Sequence, residues 1–219
     1  MGAIYLISHG QASVGARVYD RLSVNGVEQG AIVGAELLRR KIGFAVSRTG
    51  SLVRQVKTAE TVLDWLGAAA ITKEDVRWNE YHHADILRVH GSGLPEPATS
   101  RRIQEALDPA LAKWVAAGTD TPCAESWPAF VARIVEALDE VVATLAKGEN
   151  AVVFTSGGVI GTLAGHLLGM PEVGLLRMSR ATLNCGITKL VAGRSGLTLL
   201  SFNEHAHFEG RAARLLTYS

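Results

Sequence analysis

The sequence predicts an α/β fold, a mostly parallel sheet covered by helices, and three observations carry that prediction. Two short runs, Ala3-Ile-Tyr-Leu-Ile7 and Ala151-Val-Val-Phe-Thr155, have the length and composition of strands buried on both faces. Apolar residues between and around them recur at intervals of three and four, the spacing of helices that bury one side. Near the C-terminus, residues 186–191 and 197–202 flank Ala192-Gly-Arg-Ser-Gly196 and read as a hairpin, which adds an antiparallel strand. A sheet whose strands are apolar on both faces needs helices on both, and the alternation supplies them.

Taken in order, the first strand stops at Ser8-His9-Gly10, so polar groups gather at its C-terminal end. After Ser23, residues Val27, Ala31, Ala35 and Leu38 predict a helix closed before Gly43, and Phe44-Ala-Val46 follows as a strand. Ser51 is placed to cap the next helix, whose core side is Leu52, Val56, Ala59, Leu63 and Leu66; Arg54 then lies in its first turns. Residues 79–125 hold prolines, glycines and only short helical patterns, and they predict a lid inserted over the strand ends. From Ser126, with Pro128 in the first turn, Phe130, Ile134, Leu138, Val141 and Leu145 mark a long helix ending at Gly148. Ser156-Gly-Gly158 then turns the strand at 151–155 into a helix running to Gly169. Residues 1–219 read as a single domain carrying that insertion.

Composition narrows the function. Apolar residues are 47% and charged residues 20%, enough to fill a core without disulfide or metal staples. With 22 Lys and Arg against 21 Asp and Glu, the net charge of +1 lacks the broad basic footprint of a nucleic-acid binder, so any anion is bound locally. The apolar stretch at 3–7 is too short for a signal segment, and no later run reaches membrane-spanning length. Cys123 and Cys185 lack CxxC or metal-ligand spacing, which suits free thiols in a reducing compartment. The expectation is a soluble, cytoplasmic protein.

Ligands of open α/β sheets sit beyond the carboxyl ends of the strands, where His9, Arg54 and Ser156 are expected to converge. Leu6-Ile-Ser-His-Gly-Gln-Ala-Ser13 opens an ordered set that continues with Ser51-Leu-Val-Arg54, Thr58-Ala59-Glu60, Glu80, Glu125-Ser126, Ser156-Gly-Gly158 and Asn203-Glu-His-Ala-His207. This set resembles the histidine phosphatase superfamily, also called the phosphoglycerate mutase-like family, over nearly the whole chain. The resemblance implies a three-layer αβα sandwich with a mostly parallel central sheet, one antiparallel strand near the C-terminus and a helical lid. It also implies phosphate transfer to an imidazole, with no metal and no cofactor. By that resemblance His9 is the nucleophile, Glu80 the acid, and Arg54, Ser156, Gln11, Ser13 and Gly157 hold phosphate.

Two positions depart from the family pattern. Its arginine before the nucleophile is Ser8 here, and its second histidine is Ser156. Each change removes a cation-capable donor, and one preorganised donor is typically worth about a hundred- to a thousand-fold in rate. Ser8 itself, Asn184, Arg17, Arg21, Lys57, His205 and His207 are candidates to compensate. His82, His83, Asp85 and His90 match no usual zinc spacing and read as part of a solvated lid, as do Arg88, Arg101 and Arg102. Ser156-Gly-Gly158-Val-Ile-Gly161 lacks the first glycine of a dinucleotide loop, and Phe154 stands where a serine-hydrolase elbow needs glycine. The expected function is a phosphatase acting on a small phosphorylated substrate through phospho-His9. A non-catalytic binder of a phospho-ligand or phosphoprotein is the alternative, and a mutase comes third; substrate and oligomeric state are not written in the sequence.

Overall fold

The computed structural model describes residues 2–13, 20–68, 72–96, 99–194 and 196–218, with backbone alone at Ser100, Val173 and Leu175. Six strands form one sheet: β1 (Gly2–Ser8), β2 (Val46–Thr49), β3 (Thr72–Glu74), β4 (Asn150–Thr155), β5 (Ile187–Gly193) and β6 (Gly196–Glu204), in the order β3-β2-β4-β1-β5-β6. β1, β2, β3 and β4 run parallel, while β5 is antiparallel to both β1 and β6. Among the described residues seven α-helices accompany them: α1 (Val24–Arg39), α2 (Val53–Trp65), α3 (His83–His90), α4 (Ser100–Ala117), α5 (Trp127–Thr144), α6 (Gly157–Leu167) and α7 (Glu172–Ala181).

The period of two along β1 divides the core. Ala3, Tyr5 and Ile7 face one layer with Val33 and Leu37 of α1 and Val62 and Leu63 of α2. Ile4 and Leu6 face the other, with Phe130, Ile134 and Leu138 of α5 and Val159, Ile160 and Leu163 of α6. The sheet is therefore buried on both sides, the condition its apolar strands require.

Local readings differ from this architecture where tertiary contacts override pattern. The buried side of α1 is Gly26, Gln29, Gly30, Val33, Gly34 and Leu37, while Val27 and Leu38 are half exposed. Small residues, not large ones, mark this face because α2 crosses closely: a Cβ at Gly34 would come within 2.8 Å of Trp65. Ser51 does not cap α2. The cap residue is Leu52, without a side-chain bond, and Asp20 accepts from the Val53 N–H at 2.7 Å instead. Strand β2 begins at Val46 and runs through the polar Ser47-Arg-Thr49, and neither β3 nor α7 was legible from apolar spacing.

The lid segment also departs from expectation, since α4 is a helix of 18 residues that continues through Pro109. An interior proline costs about 3 kcal/mol. Leu107, Ala110, Leu111 and Trp114 are all buried and offset that cost. Trp114 joins Tyr81, Trp127 and Phe130 in a cluster with ring centroids 5.5–5.9 Å apart, which ties the lid to α5 beneath it. Removing the fully buried Phe130 ring from this cluster leaves a cavity beside Tyr81. Phe130→Ala is expected to cost about 3–5 kcal/mol, read as a lower urea midpoint with an unchanged slope.

Candidate active site

The strand order places β1 beside β4, and the segments leaving their carboxyl ends, at His9 and at Ser156-Gly157, open one cleft between them. The cleft has a volume of about 210 Å³. Of the residues expected at the site, His9, Gln11, Arg54, Glu80, Gly157 and Asn184 line it.

His9 is almost fully buried, and its Nδ1 lies 2.8 Å from the Gly10 carbonyl oxygen. A carbonyl can only accept, so Nδ1 carries the proton and Nε2 holds the lone pair of the neutral ring. Burial, and then the Arg54 guanidinium, lower the imidazole pKa to about 3, against the raising effect of the Gly10 carbonyl. Arg54, in the first turn of α2, donates through Nη1 to Asp20 Oδ1 at 2.6 Å, and the other Asp20 oxygen takes the Val53 N–H. Asp20 thus orients the arginine and closes the helix end at once.

Glu80 follows the 3₁₀ turn Val76–Trp78 and sits against the start of α6, where the Gly158 N–H donates to its Oε2 at 2.8 Å. A Cβ at position 158 would collide with this carboxyl, so glycine is required there for the approach. Burial raises the Glu80 pKa, opposed by the Gly158 N–H and by Arg54. The site therefore holds a base kept neutral and a carboxyl biased towards its protonated form. His83, at the start of α3, also lines the cleft, and burial followed by Arg54 lowers its pKa.

A chain of hydrogen bonds fixes the loop behind His9. The Gly10 N–H donates to Thr58 Oγ1 and the Gln11 N–H to Gln29 Oε1. Gln29 Nε2 donates to the Leu215 carbonyl at 2.6 Å and to Thr217 Oγ1 at 2.8 Å. Thr217 donates to Asn184 Oδ1, and Asn184 Nδ2 returns to the His9 carbonyl at 3.1 Å. Asn184 is thus a positioning group as well as a wall residue, and the C-terminal segment is bound to the loop that carries His9, with Tyr218 at the cleft.

Several expected residues do not reach the cleft. The Ser8 hydroxyl is wholly buried between the Leu183 carbonyl, to which it donates, and the Gly186 N–H. Ser156 is also buried, and its Oγ accepts from Gln55 Nε2 at 2.8 Å. Ser13 pairs its N–H with the Arg21 carbonyl and lies outside the wall. His205 stands exposed after β6, two strands from β1 and so about 10 Å away across the sheet. His207 bonds the Cys185 carbonyl and packs on Phe208. Arg21 is exposed and Lys57 pairs with Glu60, whereas Arg17 lies outside the described residues.

Of the remaining lid residues, His82 caps α3, His90 bonds Thr121, Arg88 and Arg101 pair with Asp85 and Glu105, and Arg102 donates to the Glu96 carbonyl. Asp20, Gln29 and Tyr218 were not anticipated, Thr58 stood in the motif without a role, and His83 was expected in a solvated lid and not at the cleft. Among the first three, Gln29 carried a signal, a polar residue set among glycines on the side where α1 is closely crossed. Among the described residues no group of three or more His, Cys, Asp or Glu side chains is placed to hold a metal ion, and no helix is long and apolar enough to cross a membrane.

An αβα fold with a buried histidine, an arginine and a carboxyl at the strand ends defines a class of phosphate-handling proteins. The profile of the histidine phosphatase superfamily (branch 1) matches residues 4–205, and the chain belongs to that family. Among solved structures, a mycobacterial glucosyl-3-phosphoglycerate phosphatase is similar at 23% identity and TM-score 0.68, over 93% of this chain and 99% of its own. A phosphoglycerate mutase from Bacillus anthracis is similar at 19% and 0.66, over 94% of each chain. A phosphoserine phosphatase from Entamoeba histolytica, in complex with 3-phosphoglyceric acid, is similar at 18% and 0.67, over 94% and 99%. These likenesses establish the fold. No curated protein matches the chain.

Gln29 supplies a test of the hydrogen-bond chain. In Gln29→Leu the Gln11 N–H, the Leu215 carbonyl and the Thr217 hydroxyl lose their buried partner, at about 1–3 kcal/mol for each group left unsatisfied. Gln29→Glu retains the shape but sets a carboxylate oxygen against the Leu215 carbonyl. Burial raises its folded-state pKa above the unfolded value of about 4.3. The variant's stability is then complete below that value and lost as pH rises through the folded-state pKa. Denaturant midpoints are expected to approach wild type at pH 4 and fall well below it at pH 7.5.

Proposed function

We propose that the protein is a phosphomonoesterase working through a phosphohistidine on His9. The lone pair of Nε2 attacks phosphorus, the ester P–O bond breaks, and the leaving oxygen takes the Glu80 proton. Water, deprotonated by the Glu80 carboxylate, then attacks the phosphohistidine, which returns inorganic phosphate and the neutral imidazole. The observation that carries this reading is the Nδ1–H bond of buried His9 to the Gly10 carbonyl, which fixes the tautomer a nucleophile needs.

Supporting groups follow from the wall of the cleft. Arg54 and the N-terminal turn of α6 at Gly157 face the position of the transferred phosphate. His83 is a further imidazole on that wall, but burial and Arg54 lower its pKa, so it is a neutral polar group there and does not replace the cations that Ser8 and Ser156 do not bring. A second reading, a phospho-ligand binder without turnover, is favoured by one observation: both serines are turned away from the cleft and committed to structural hydrogen bonds.

Steady-state hydrolysis of an aryl phosphate over pH 4–8, with chelator present, separates the two readings. His9→Ala is expected to abolish turnover. With His9 neutral above about pH 3 and Glu80 needed protonated, wild-type kcat/KM is expected to be highest on the acid side and to fall as Glu80 ionises. Glu80→Gln is expected to lower the rate about a hundred- to ten-thousand-fold. The ratio of wild type to Glu80→Gln cancels the ionisation of the substrate and is expected to decline with rising pH. Turnover that survives His9→Ala would falsify the phosphohistidine route, and absence of turnover in a folded wild type favours the binder.

A further inference from the structure

We infer that the cleft selects phosphomonoesters whose alcohol portion is apolar, aryl or alkyl, over phosphorylated hydroxy acids and sugars; the inference rests on the phosphatase reading above. The two ends of the cleft differ in chemistry. His9, Arg54 and Glu80 stand at the sheet end. Facing them, α4 turns Ile103, Leu107 and Leu111 into the cleft, and Leu176 of α7 lines it as well. Spacing of four places the α4 residues in one row on the helix, and eight residues of rise carry that row about 12 Å along the wall. Ile103 is half-buried while Leu107 and Leu111 are 7% and 4% exposed, so the row runs from a more open to a more enclosed position.

The charged groups beside this row are already committed to one another. Asp108 of α4 pairs with Arg180 of α7 and accepts from Gln104 Nε2 at 2.7 Å, which also ties the lid helix to α7. Arg54 pairs with Asp20. Among the described residues, both guanidinium groups lining the cleft therefore face a carboxylate, and no lysine lines it. Gln104, Ser179, Arg180 and Tyr218 also line the cleft, but a carboxylate or a set of hydroxyls laid along the aliphatic row itself gives up water for side chains that return no hydrogen bond. An aryl ring or alkyl chain loses nothing by the same transfer and gains from burial.

The test compares n-butyl to n-octyl phosphates, 1-naphthyl phosphate, 3-phosphoglycerate and phosphoserine as substrates of the full chain, below the concentrations at which the longer esters form micelles. The expected result is a His9-dependent kcat/KM that rises roughly fourfold per methylene until the wall is covered. Ile103→Asn and Leu176→Asn are each expected to lower the ratio of octyl phosphate to 3-phosphoglycerate rates about tenfold or more. His9-dependent turnover with a flat alkyl series, or with that ratio unmoved in both variants, overturns the apolar selection and leaves the phosphatase reading standing. If no ester is hydrolysed, the phosphatase reading fails and calorimetric binding decides the selection. Octylphosphonate binding more tightly than 3-phosphoglycerate, and more weakly to Ile103→Asn than to wild type, upholds it; equal or weaker binding overturns it.

Discussion

The segment from His9 to Gln11 leaves the sheet, and beyond one last bond to the neighbouring strand its backbone groups must find partners elsewhere. Each partner comes from a different part of the chain: Thr155 at the end of β4 for the His9 N–H, Thr58 of α2 for the Gly10 N–H, Gln29 of α1 for the Gln11 N–H, and Asn184 before β5 for the His9 carbonyl. The Gly10 carbonyl is taken by the His9 ring itself. The loop that carries His9 consequently acquires its shape only when both helices of one layer, the central strands and the C-terminal segment are assembled. Such a ring of buried polar groups specifies one arrangement when every member is satisfied and is costly when one is not.

The same enclosure biases the two protonation states that the proposed phosphate transfer requires. Burial penalises charge on any group, so it lowers the pKa of a base and raises that of an acid. Burial at one cleft therefore gives a neutral imidazole at His9 and a carboxyl at Glu80 biased towards protonation. Neighbours then adjust each value. Arg54 reinforces the effect on His9, whereas Arg54 and the Gly158 N–H oppose it on Glu80. Acid and base roles follow from environment more than from residue type.

Much of this architecture was legible in the sequence because strands buried on both faces leave a continuous apolar record, as at 3–7 and 151–155. The hairpin at 192–196 and the capped start of α5 at Ser126 were equally local, and both stand where the spacing put them. Features that depend on distant partners left no such record. Ser51 had the chemistry of a cap, yet Asp20 closes α2 from 33 residues upstream. The close side of α1 is built of glycines, which a search for large apolar residues passes over. At the site, the family motif brought out the residues whose type the chemistry dictates, whereas Ser8, Ser156 and His205 were expected near phosphate from their place in the motif alone. Side-chain direction and strand order decided otherwise, and neither can be read from spacing.

The two serines bear on how much charge the cleft can offer a dianion. An arginine or a charged histidine in either buried position would need a carboxylate or phosphate beside it, since an unpaired charge in a dry site is strongly unfavourable. Serine satisfies both positions with backbone and amide partners, so the unliganded pocket is stable without a ligand to neutralise it. Arg54 carries most of what remains, and its pairing with Asp20 uses Nη1, one nitrogen of a guanidinium with five N–H donors. Its other donors can meet phosphate oxygens while Asp20, anchored independently by the Val53 N–H, holds the side chain in place. With Arg54 the one guanidinium beside His9 among the described residues, the proposed reaction would draw binding energy increasingly from the rest of the substrate. On the proposed reading, the apolar side chains of α4 and α7 that line the cleft would supply that energy in place of additional cations.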